Sequence, residues 1–146
     1  MTVSGNRRAW LGILSCAEPV ELMEALEPFR VTCASAVELR RAEVGLALVT
    51  GRTGATGTPF GLGEMTLTRC VVQVGNAMGV GYVRGRAPDH ARNVALADAL
   101  LQGDDSDGVH RAVVVPLAAA HARRRAQNAA DVDTSRVQFL TMVRGE

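Results

Sequence analysis

The chain has 146 residues, 47% of them hydrophobic, and its 16 basic and 15 acidic side chains nearly cancel. That length is one ordinary domain's worth, residues 1–146, and enough to bury a sizeable core; the balanced charge argues against a nucleic-acid or membrane-surface binder, which carries a basic excess. Every basic residue is Arg, so a Lys Schiff base, a Walker-type phosphate Lys and a Lys general base are excluded, and any anion contact falls to Arg, His, a backbone N–H or a helix N-terminus.

Arg7 to Arg30 reads as two short helices. Trp10, Leu11 and Leu14 recur at helical spacing, and Pro19 suits a first helical position because its missing N–H would be unpaired there anyway. Leu22, Met23, Leu26 and Phe29 follow as an apolar stripe, with Glu21, Glu24 and Glu27 largely off it as a solvated or partner-binding face. Val44 to Val49 is nearly continuous apolar residues, the composition of a strand covered on both faces. Glu64 to Val74 is predicted as a strand with Glu64, Thr66, Thr68, Cys70 and Val72 on one face and Met65, Leu67, Arg69 and Val71 on the other. Gly75-Asn76 offers a turn, and Met78 to Arg84 returns as the second arm of a hairpin.

Ala87-Pro88-Asp89 begins a helix that buries Val94, Ala97, Leu100 and Leu101 and stops at Gly103. The acidic loop Asp104 to Asp107 leads into a second helical stretch, Val109 to Ala130, which Pro116 kinks or restarts. Val137 to Val143 alternates as a final strand. The order α-α-β-β-β-α-α-β predicts an α+β fold: a mainly antiparallel four-stranded sheet with packed helices.

Gly51 to Glu64 holds five glycines in fourteen residues and is predicted to connect two strands. Its Thr hydroxyls and free N–H groups can cradle an anion, with Arg52 as a bidentate partner, but the spacing matches neither a P-loop nor a dinucleotide fingerprint, and a plain interstrand connection explains it as well. The row Glu64, Thr66, Thr68, Cys70 suits a polar pocket or a polar partner. Arg69 suits an ion pair or an interface anchor, and Cys70 a small buried hydrophobe. Arg84, Arg86 and His90 lie beside a helix N-terminus, where a phosphate-bearing ligand is favoured, although Arg86 can equally pair with Asp89. His110 and His121 read as helix-surface residues, and Arg123-Arg124-Arg125 as a solvated face or a subunit contact. Cys16, Cys33 and Cys70 are too scattered for a disulfide framework or a zinc site, so no metal is expected. With no apolar leader or membrane-length run, the expected location is cytoplasmic.

The stretch GRTGATGTPFGLGEMTLTRC, Gly51 to Cys70, resembles the signature of the phosphonate metabolism protein family PhnG. Gly81 to Arg86 (GYVRGR), Asp89-His90-Ala91, Trp10-Leu11 and the closing Val143 to Glu146 (VRGE) are similar to further elements of that family in the same order. The resemblance implies a subunit of the carbon–phosphorus lyase core, assembled in duplicate with H, I and J components. With the H, I and L components it would support transfer of ribose triphosphate from a purine nucleotide to an alkylphosphonate. The J component would later break the carbon–phosphorus bond with an iron–sulfur cluster and S-adenosylmethionine. It implies no cofactor and no catalytic residue for this chain, which is not expected to turn over substrate alone. Arg52, Thr56, Glu64, Thr66, Thr68, Arg69, Arg84, Arg86 and His90 are then candidates for contact with a nucleotide or phosphonate ligand or with partner subunits. The alternative is a stand-alone enzyme acting on a phosphorylated sugar or nucleotide.

Overall fold

The computed structural model describes residues 6–54 and 56–134. Helix α1 (Arg7–Cys16) starts at Asn6, whose side chain accepts the Ala9 N–H, and buries Trp10 and Leu14. Helix α2 (Pro19–Leu26) buries Leu22 and Leu26, and a turn of 3₁₀ helix (Glu27–Phe29) leads to the short α3 (Arg30–Ala34). Strands β1 (Val37–Arg52), β2 (Pro59–Val74) and β3 (Ala77–Arg84) form an antiparallel sheet in the order β1-β2-β3. Helix α4 (Pro88–Leu100) follows. Then come α5 (Ser106–Val109), a π turn (His110–Val114) and α6 (Val115–Thr134). The wide π turn lies immediately before Pro116, where a regular helix would lose a hydrogen bond and meet the proline ring.

The core is built around α4. It lies on β2 and β3, and α1 and α2 pack against it in turn. Its approach to the sheet requires glycine: a Cβ on Gly79 would run into the Ala95 carbonyl oxygen, and one on Gly81 into that of Ala91. Small residues on both sides, Ala91, Ala95 and Ala99 against Gly79 and Gly81, let backbone rest on backbone, while Thr68, Cys70, Val72 and Val83 fill the space beside them. At the centre, Asp98 is fully buried and fully satisfied. Its carboxylate accepts from Arg7 Nε and Nη2 (3.1 and 2.6 Å), Trp10 Nε1 (2.9 Å) and the Val80 N–H (2.9 Å), tying α1 and β3 to α4.

The antiparallel sheet has three strands among the described residues; the expected fourth, Val137 to Val143, lies outside them. Two expectations need correction. The glycine-rich stretch is mostly strand. The β1–β2 pairing continues from Val49↔Gly63 to Arg52↔Pro59, so the connection shrinks to the tip at residues 53–58. Backbone pairing is indifferent to side chains, and the glycines serve it: Gly63, at φ 150°, sits at the bulge that shifts register between Val49 and Thr50. Finally, Val44 to Val49 is not covered on both faces, since Val44, Leu46 and Leu48 are 45%, 65% and 66% exposed.

Candidate functional site

The length mismatch of the strands creates the first notable surface. β3 pairs with β2 only from Leu67 to Val74, so Pro59 to Thr66 pairs with β1 alone and forms a two-stranded ribbon. Its residues include the exposed Leu46, Leu48, Phe60 and Leu62. Leu48 rests by Gly61 and Leu62 over Gly51, so the leucines cover glycine backbone but have their outer surfaces free. At the tip, Arg52 Nη1 donates to the Gly57 carbonyl (3.2 Å) and the Gly57 N–H donates to the Thr53 carbonyl (2.9 Å). Arg52 is thus engaged in closing the turn; Thr56 is exposed in the same tip, and Glu64 is exposed further along β2, opposite Leu48.

The predicted polar row of β2 divides where the helices begin. Thr66 is half-buried, whereas Thr68 is fully buried and its hydroxyl is used twice, donating to the Gly85 carbonyl (2.6 Å) and accepting the Ala87 N–H (3.0 Å). It thereby fixes the turn that launches α4, where Gly85 has φ 84°. Cys70 is buried under α4 and donates its S–H to the Arg40 carbonyl (3.4 Å). Burial, then the Glu38 charge, push its thiol pKa up against the opposing pull of Arg92 and the Val71 backbone; burial likewise raises Cys33. Neither is a ready thiolate nucleophile. Arg69, on the opposite face, pairs with Glu43 (Nε to Oε1, 2.6 Å), and Arg92 of α4 pairs with Glu38 of β1 (2.7 Å).

The second surface is a cleft of about 600 Å³ between the α1–α2 junction, the start of α4 and the middle of α6. Glu18, Arg84, His90, His121, Arg124 and Arg125 face it. His90 is 7% exposed and, among the described residues, neither ring nitrogen has a hydrogen-bond partner. Burial lowers its pKa, opposed by the Ser15 backbone carbonyl and the Glu18 carboxylate. Arg124 Nη1 holds both carboxylate oxygens of Glu21 at 2.9 Å, leaving its buried Nη2 unpartnered. His121, Arg124 and Arg125 share one face of α6 by their i, i+3, i+4 spacing.

The structure therefore brings Arg84 and His90 together but keeps Arg52 and Thr56 away. Arg52 pairs with Pro59 and Arg84 with Leu67, a separation along β2 of about 26 Å at the rise of an extended strand. Arg86 is exposed on the turn and makes no ion pair with Asp89. Sequence reasoning missed the far wall of the cleft: His121 is half-buried there instead of lying on an open helix surface, and Arg124 and Arg125 join it. It also missed Asp98, whose one sequence signal is an acid set between Ala97 and Ala99 on a helix otherwise made for burial.

These features define a class: a small α+β chain with its own core at one end of the sheet and, at the other, an apolar ribbon that the described residues leave exposed. Residues 5–145 match the family described as phosphonate metabolism protein PhnG, and the chain belongs to that family, as the stretch from Gly51 to Cys70 led us to expect. It is 37% identical over 113 residues to the alpha-D-ribose 1-methylphosphonate 5-triphosphate synthase subunit PhnG of Rhizobium meliloti (strain 1021), covering 74% of this chain and 70% of that one.

Proposed function

We propose that this chain is the G subunit of an alpha-D-ribose 1-methylphosphonate 5-triphosphate synthase in phosphonate catabolism, and that it works by assembly with the H, I and J components in the cytoplasm. The reading rests on the ribbon. A two-stranded hairpin is marginally stable in water by itself, and this one displays leucines on a segment with the composition of a buried strand. Covering Leu46, Leu48 and Leu62 with a partner would contribute roughly 1.5–3 kcal/mol for each side chain fully buried. Arg52 and Thr56 at the tip and Glu64 opposite Leu48 then supply the polar rim of that contact. Chemistry resides in the partners: ribose-triphosphate transfer with the H, I and L components, and carbon–phosphorus cleavage with an iron–sulfur cluster and S-adenosylmethionine on the J component.

The test is co-expression of the tagged chain with H, I and J components, followed by the mass of what elutes. Stoichiometric recovery is expected. A monodisperse monomer that ignores those components would replace this reading with that of a stand-alone enzyme on a phosphorylated sugar or nucleotide.

A further inference from the structure

We infer that the cleft at His90 is a binding site for a tetrahedral phosphorus oxyanion, the terminal group of a phosphate monoester or a phosphonate. The inference stands on the cleft and not on the assembly reading above. Its first support is the imidazole of His90, more than nine-tenths buried, lining the cleft with both nitrogens unpartnered among the described residues. A buried polar group without a hydrogen bond is costly, and native proteins rarely keep one that nothing uses.

The second support is the company it keeps. Arg84 and Arg125 face the cleft from β3 and α6 and, among the described residues, make no ion pair, while Arg124 offers an Nη2 with no partner there. Against these stand Glu18 in the cleft and Glu21, which Arg124 already holds. Three guanidiniums against two carboxylates leave a net positive charge before His90 or His121 takes a proton. His90 also lies in the first turn of α4, whose N-terminal end favours an anion.

The donor set decides the chemistry. Guanidiniums and imidazolium have no acceptor to offer, and they match the several oxygens of a phosphorus oxyanion better than the single plane of a carboxylate. A cation is disfavoured: among the described residues no three His, Cys, Asp or Glu groups converge as metal ligands. Thr68 serves the site at one remove, because its hydroxyl sets the Gly85–Ala87 turn between Arg84 and His90.

The experiment is imidazole NMR on the full chain at fixed pH and ionic strength. Inorganic phosphate is titrated in one arm and methylphosphonate in the other, with chloride as reference. Saturable movement of the His90 and His121 signals is expected. Arg84→Gln with Arg125→Gln, two exposed positions, checked for an intact fold by circular dichroism, should weaken it by roughly tenfold or more, and Arg123→Gln, outside the cleft, should not. Whichever probe binds more tightly names the source of the group, and either order upholds the site. Signals that stay still, or a response that the double exchange leaves unweakened, overturn it.

Discussion

From Leu67 to Val74, β2 is paired along both edges and covered on one face by α4; from Pro59 to Thr66 it pairs with β1 alone. In the first, a two-residue alternation buries Thr68, Cys70 and Val72 completely; in the second, interrupted by the bulge at Gly63, Phe60 and Leu62 are 47% and 62% exposed. One half is finished by this chain's own helices. The other has the residues of an interior and no interior among the described residues.

If the contrast is right, substitutions at the covered end should cost stability and substitutions on the ribbon should not. The largest loss is expected for Asp98→Ala. It strands the Trp10 N–H and the Val80 N–H and releases Arg7, for a loss of about 3–4 kcal/mol in denaturant unfolding. Gly81→Ala comes next. The added methyl meets the Ala91 carbonyl oxygen, so α4 must lift from the sheet, at about 2–3 kcal/mol. Both would sharpen the comparison; full stability in either would break it.

A smaller effect is expected from His90. Its folded pKa is lowered by burial, so the unfolded chain binds the proton more readily, and the neutral imidazole's contribution is complete above the unfolded pKa of about 6.5. Stability should fall as pH drops from there through the lower folded pKa. His90→Gln should flatten that part of the Tm-against-pH curve, and an oxyanion seated in the cleft should oppose the loss by favouring the charged ring. A wild-type curve no steeper than the variant's would contradict the burial assigned to His90.

Much of the covered end was legible in the sequence. The periodicity of β2, the Gly75-Asn76 turn and the Pro88 helix start all express local rules that tertiary structure left alone. Gly51 to Glu64 misled because glycine content signals a loop, whereas the pairing partner in β1 supplies the hydrogen bonds that make it a strand. Val44 to Val49 misled for the opposite reason: a nearly continuous apolar run has the composition of a strand covered on both faces, yet among the described residues nothing covers Val44, Leu46 and Leu48. The cleft was half legible. Arg84 and His90 are neighbours in sequence, but His121, Arg124 and Arg125 reach them only through the packing of α6, which no local pattern reveals. The Arg7–Asp98 pair spans the chain in the same way.

The most direct measurement is made on the ribbon. Leu46→Ser, Leu48→Ser and Leu62→Ser combined should change unfolding free energy by no more than about 0.5 kcal/mol per site, since each side chain is mostly exposed. The same triple variant, co-expressed with the H, I and J components, should fail to co-purify with them while Asp98 and α4 hold the chain folded. A variant that stays folded and assembles as the parent does would contradict the account.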